Sequence, residues 1–279
     1  MRMIQLKFQE WTAEIAAEYG MNTVRLVWNG EEIIRSPESE EPLRQSQRAY
    51  GMPLLLPPNR TADGSFVFGG KEYQLPVNDR MKQNHIHGFI SQASFTITEQ
   101  TENHVIGTYQ NKGELYPFPF CIEVCYWLDE EGYHQKFQIC NTGTENMPLT
   151  FGLHTNFVEK DFFAIPIARK HEVDERYIPT GKKLPLSERE VQYRQGTGMG
   201  QDSVNDFFTS CGHVARMGHM EYVVSENFDQ WVLYNGGGDK GFISMEPQCG
   251  AVNCLNSREG LLCLEPGKTE VFDTLIRRI

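Results

Sequence analysis

The sequence predicts an all-β domain, a large sandwich of antiparallel sheets, and three observations carry that expectation. Apolar and polar residues alternate with a period of two over many short stretches, as in strands with one wet face. Tight-turn dipeptides punctuate those stretches at hairpin spacing. No stretch reads as a long amphipathic helix, and residues 11–19 fit a helix or a strand equally well.

Arg25-Leu26-Val27-Trp28 runs into Asn29-Gly30 and resumes as Glu31-Glu32-Ile33-Ile34. Both turn residues accept positive φ, so a primed hairpin turn is expected. Ser65-Phe66-Val67-Phe68, Gly69-Gly70 and Lys71-Glu72-Tyr73-Gln74-Leu75 repeat the pattern. Ile122, Val124, Tyr126 and Leu128 then alternate with Glu123, Cys125 and Trp127. Beyond Glu131-Gly132, Tyr133, Phe137 and Ile139 do the same. Short segments near 161–163 and 185–190 read as single helical turns. Five further strands are expected at 221–225, 230–234, 241–245, 260–264 and 270–278. The Pro-, Gly- and Asn-rich stretches 53–60, 196–206 and 236–241 read as surface loops, and Gly236-Gly237-Gly238 as a flexible hairpin rather than a phosphate loop. No repeat or long linker divides the chain, so residues 1–279 are expected to form one domain.

Composition narrows the function classes. Hydrophobic residues make up 39% and charged residues 23%, the balance of a globular protein with its own core. Lys and Arg number 26 against 37 Asp and Glu, a net charge of −11, which argues against nucleic acid and anionic membranes as partners. Apolar runs such as 52–58 are too short to span a bilayer. Residues 1–7 place charge where a signal peptide needs its apolar stretch, so a cytoplasmic location is expected. Seven cysteines without a CxxC pair read as reduced thiols, all seven as small buried hydrophobes.

Candidate chemistry concentrates in a few places. His85 and His87 share the segment Asn84-His85-Ile86-His87-Gly88-Phe89. His154, framed by Gly152 and aromatics, is expected to point into a semi-enclosed site. Glu265 closes the apolar run Leu261-Leu262-Cys263-Leu264 at a Pro-Gly turn. A carboxylate at the mouth of a β-structure is held rigidly and partly desolvated. His104, His134, His171, His213 and His219 read as ordinary core or surface histidines, and Arg60 or Glu265 alone would read as surface groups.

Together, however, these residues carry a resemblance. Pro58-Asn59-Arg60, Gly64, Phe66, Gly70, Tyr73-Gln74-Leu75, Asn78 and Asn84-His85-Ile86-His87-Gly88 resemble the aldose 1-epimerase (galactose mutarotase) family in order and spacing. Gly152-Leu153-His154 with Phe157, and Leu264-Glu265-Pro266-Gly267, resemble its second histidine motif and its C-terminal glutamate motif. The resemblance implies a β-supersandwich that interconverts the α and β anomers of a free aldose, with no metal or other cofactor and a small sugar as partner. It implies Glu265 as general base and His154 as general acid, with His87, Arg60 and Asn59 binding the sugar. A further sugar-binding position falls on Asn205 or Asp206. The related hexose-6-phosphate epimerases carry an Arg where this chain has Ser91 and a Trp where it has Phe95, which favours an unphosphorylated substrate.

The chemistry agrees with that division. Anomer exchange takes a proton from the anomeric hydroxyl while giving one to the ring oxygen, which needs one base and one acid able to run in reverse. Most aromatics read as core, with Phe89, Phe151, Phe157 and Trp231 as candidates to stack on the apolar face of a pyranose. Two other classes compete. One is a cupin-type metalloprotein using His85, His87 and Gln92, and the other is a carbohydrate-binding sandwich without catalysis.

Overall fold

The computed structural model describes residues 3–238 and 240–279. Two large antiparallel sheets bury their apolar faces in one continuous core that runs from Ile4 to Ile276. The first sheet is ordered Thr96–Gln100, His104–Asn111, Phe120–Leu128, Tyr133–Asn141, Thr269–Arg278, Met220–Val224, Val214–Met217 and Phe163–Ala164. Alternation sets its register. Every second residue of Phe120–Leu128 and of Tyr133–Asn141 is buried, and Ile122 faces Ile139 while Val124 faces Phe137. A one-residue slip would turn both rows of side chains to water, and each large side chain contributes about 1.5–3 kcal/mol by burial.

The second sheet is ordered Pro179–Leu184, Ile167–Val173, Asn205–Ser210, Gln230–Tyr234, Phe242–Gln248, Gly152–Leu153 and Leu54–Leu55, with Thr155–Val158 also pairing Phe242–Gln248. Phe242–Gln248 is central and buried at every position, including the polar Ser244, Glu246 and Gln248. A smaller sheet of Met3–Phe8, Trp11–Ala16, Asn22–Trp28 and Glu31–Glu32 packs into the same core. The all-β sandwich read from the sequence is the fold.

Several local expectations need correction. Residues 11–19 resolve as the strand Trp11–Ala16 followed by a 3-10 turn, Ala17–Tyr19, because Trp11, Ala13 and Ile15 alternate into the core. The turn expected near 185–190 is a two-turn helix, Glu188–Gln195, started by a reciprocal cap between Ser187 and Glu190. Residues 161–163 form no helix, since Phe163–Ala164 pairs with Val214–Met217. The Asn29-Gly30 hairpin stands as expected, with φ of 46° and 81°. All seven cysteines are free, but only Cys249 and Cys254 are buried, whereas Cys211 and Cys263 are exposed. Cys121 and Cys125 fall on the outer phase of a strand that buries its other face.

Candidate active site

The strand register builds the site around an interruption. Gly152–Leu153 and Thr155–Val158 both pair with Phe242–Gln248, and His154 sits in the break between them. Its backbone N–H leaves the sheet to donate to the carbonyl of Pro53 at 3.0 Å. Its ring therefore meets the face of the central strand. His154 Nε2 lies 3.2 Å from Glu246 Oε1, with the Glu246 side chain only 2% exposed. Gln248 Nε2 donates to the other carboxyl oxygen at 3.4 Å.

Burial works on these two groups in opposite directions. It penalises the imidazolium, pushing His154 down to about 4, with the positive charge of Arg48 adding to the effect. It penalises the carboxylate, pushing Glu246 up to about 8 against the opposing pull of Arg60. Between those values the pair holds one proton, which rests on Glu246. The two titrations belong to the pair as a unit.

His87 stands beside them, its ring edge-on to that of His154 with centroids 5.5 Å apart. The strand Asn84–Ile86 ends just before it, and a φ of 63° turns its side chain out of the strand direction. Its neighbour Gly88 has no alternative. At φ 61° a Cβ would fall 1.9 Å from the carbonyl oxygen of Leu56. His87 N–H donates to the Asn59 carbonyl at 2.8 Å, and Asn59 N–H donates to His87 Nδ1 at 3.3 Å. The second bond leaves Nε2 to carry the ring proton. Burial, with Arg48 adding, holds this imidazole well below its usual range, so His87 is a neutral donor. Arg60 donates from Nη1 to Asn59 Oδ1 at 3.2 Å and pairs through Nε with Asp79 at 3.4 Å.

A single amide ties the remaining wall together. Asn156 Nδ2 donates to the carbonyls of Arg48 (3.1 Å), Gly51 (3.2 Å) and His154 (2.9 Å). Ser244 Oγ donates back to its Oδ1 at 2.6 Å. The loop carrying Arg48 is thus fastened to the strand pair that carries His154 and Glu246. These groups, with Asn205, Tyr234 and Phe242, line a cleft of about 520 Å³.

The chain matches the aldose 1-epimerase family over residues 2–277. It belongs to that family. A relative from Escherichia coli K12, the uncharacterized protein YihR, is 29% identical over 231 residues, covering 77% of this chain and 75% of its own. In three dimensions the chain is similar to a galactose mutarotase-like protein from Clostridium acetobutylicum, with a TM-score of 0.90 and 24% identity over 99% of this chain and 95% of that one. It is also similar to a putative aldose 1-epimerase from Escherichia coli K12, with a TM-score of 0.87 and 15% identity over 99% and 98% of the two chains.

Within this epimerase fold the expected site residues separate. His154, His87, Arg60, Asn59 and Asn205 all line the cleft. Asp206, the alternative to Asn205, faces away and pairs with Lys170 at 2.8 Å. Glu265 is the main correction. It lies outside the cleft lining, exposed at the turn after Leu262–Leu264, on a two-stranded ribbon with Met147–Leu149. Glu246, which stands against His154, is absent from the sequence-based set because the C-terminal glutamate motif is matched there to Leu264-Glu265-Pro266-Gly267. The available signal is the run Phe242-Ile243-Ser244-Met245-Glu246-Pro247, a second mostly apolar run closed by Glu-Pro.

The aromatics read mostly as core, and three of the four stacking candidates are core. Phe151, Phe157 and Trp231 are core residues, and Phe89 packs on Tyr109. Gly236, expected in a plain hairpin, lines the cleft beside Phe242. The cupin pairing does not assemble, since His85 Nδ1 donates to the Pro76 carbonyl at 2.8 Å while His87 turns into the cleft.

Proposed function

We propose that this chain interconverts the α and β anomers of an aldopyranose by opening and reclosing the ring, with His154 and Glu246 as its acid–base pair. The observation that carries this reading is their 3.2 Å separation inside a buried cleft. The hydroxyl that must lose a proton and the ring oxygen that must gain one hang on the same carbon. Two proton-transfer groups this close address both oxygens at once.

Glu246 as carboxylate takes the proton from the anomeric hydroxyl while His154 as imidazolium gives its Nε2 proton to the ring oxygen. The C1–O5 bond breaks and C1 becomes the aldehyde carbon. Rotation about C1–C2 presents the other face. Reclosure then returns the proton on Glu246 to O1 while His154 recovers its own from O5. The proton that rests on Glu246 therefore passes to His154 Nε2 across their 3.2 Å contact before the ring opens. His87 Nε2–H and Arg60 donate to sugar oxygens, and Asn205 binds a hydroxyl. Acid–base help of this kind supplies ~10²–10⁴-fold, with positioning adding more.

Exchange NMR between anomers of D-glucose and D-galactose tests the reading. The expected result is anomer exchange faster than the buffer-catalysed rate in proportion to protein concentration. Exchange at the spontaneous rate for every aldose tried, neutral or charged, would overturn it.

A further inference from the structure

The cleft is cationic although the chain is strongly acidic. Among the described residues Arg35, Arg48, Arg60 and Lys240 line it, against one acid, Glu246. Of the four cations, Arg60 pairs with Asp79. Among the described residues, Arg35, Arg48 and Lys240 have no carboxylate within salt-bridge distance.

These side chains are held in place by other means. Arg35 donates to the Ala49 carbonyl at 3.1 Å, and its guanidinium lies 4.8 Å from the ring of Tyr50 and 4.4 Å from that of Phe242. Arg48 donates to the Ile86 carbonyl at 3.4 Å, next to His87, and its own carbonyl is anchored by Asn156. Partly buried guanidinium groups without a counter-charge are costly unless a ligand supplies one.

Their placement relative to the reacting atoms is asymmetric. The charge of Arg48 is felt by His154 and His87, whereas that of Arg60 is felt by Glu246 and His87. Arg48 reaches the Ile86 carbonyl beside His87, whose ring lies edge-on to His154, and so stands on the His154 side, where the ring oxygen would lie. Phe242, Ser244 and Glu246 alternate on one strand face, so the Phe242–Arg35 end of the cleft lies roughly 13 Å from Glu246. In an aldopyranose the exocyclic carbon hangs from the ring atom next to that oxygen. It is also the substituent able to reach beyond the ring.

Resting on the epimerase reading above, the geometry points to an aldopyranose with an anionic group on its exocyclic carbon, held by Arg48 together with Arg35 and Lys240. Phosphate, sulfonate and carboxylate share the required chemistry. Ser91 does not argue against this class. It is buried within the 3-10 turn Ile90–Gln92 and outside the cleft, so the cations that matter come from other segments.

Calorimetric titration with D-glucose, D-glucose 6-phosphate, 6-deoxy-6-sulfoglucose and D-glucuronate tests the charge preference. At least one anionic sugar should bind about tenfold or more tightly than glucose, as one charge-assisted contact supplies. The ranking among the three identifies the anion. Arg48→Gln and Lys240→Ala should each narrow that ratio by about threefold or more, and Arg48→Lys should restore much of it. Lys240 is exposed, so its variant keeps the test open if an Arg48 variant fails to fold.

Glucose binding as tightly as all three anions, or a ratio untouched by both substitutions, would overturn the inference. Exchange NMR on the same sugars separates it from the epimerase reading. Charge-selective binding without anomer exchange sinks only the catalytic reading, whereas exchange without charge preference sinks only this one.

Discussion

Glu246 and Glu265 each close a mostly apolar run of the sequence, and each is followed by proline. Yet Glu246 is 2% exposed in the middle of a large sheet, flanked by Val232 on one strand and by the broken His154 strand on the other. Glu265 stands in water at the tip of a two-stranded ribbon, where its carbonyl merely accepts from Lys268 N–H at 3.0 Å. The dipeptide is the same and the chemistry is not. A carboxyl acquires a shifted pKa from what covers it and what faces it, and both are set by strand order.

The largest expected effect lies at the buried member of the pair. Glu246→Gln and His154→Gln should each lower kcat/KM for anomer exchange by ~10²–10⁴-fold. Either variant retaining more than about a tenth of the wild-type value in exchange NMR would end its assignment as acid or base.

A second effect appears in stability. Glu246 holds its proton in the folded state up to about 8 but releases it near 4.5 when unfolded. Its contribution to stability is thus complete below pH 4.5 and is lost as pH rises through 8. Relative to Glu246→Gln, the wild-type protein should therefore lose of order a few kcal/mol between pH 5 and pH 8. Urea unfolding of both proteins at the two pH values reads this directly, and parallel pH dependences would show that the carboxyl titrates normally. His154 acts at the other limit. Its depressed pKa stabilises the fold above 6.5 and ceases to do so as pH falls through about 4.

The same pair shapes the rate. With one proton shared between about 4 and about 8, kcat/KM should be flat across that window and fall about tenfold per pH unit beyond each end. A single limb near 6.5, as for an unperturbed histidine, would contradict the shared-proton pair.

The smallest effect belongs to the exposed member. Glu265→Gln should leave kcat/KM within about twofold of wild type and stability within about 0.5 kcal/mol. Loss of exchange in that variant, with Glu246→Gln still active, would reverse the comparison.

Much of the cleft was legible before folding. The segments bearing Arg60, His87 and His154 are marked by glycine, proline and local order, and Gly88 records a backbone contact that tolerates no side chain. Other parts were not. Arg35, Arg48 and Lys240 sit in three unremarkable segments, and nothing local distinguishes them from solvated surface cations. Asn205 and Asp206 are adjacent on one strand, so alternation says they face opposite ways without saying which faces the sugar. The pairing of Asn205 with Tyr234, and the ion pair of Asp206 with Lys170, decide it.

Period-two patterning and turn chemistry alone determined that this chain folds as antiparallel sheets, because each strand's burial is dictated by its own alternation. Which carboxyl meets which imidazole was decided only by the tertiary structure. That meeting depends on a break at His154 and on the neighbours of Phe242–Gln248, distant in sequence and brought together by sheet order. Proton affinity follows from desolvation and nearby charge, which exist only once those strands are side by side.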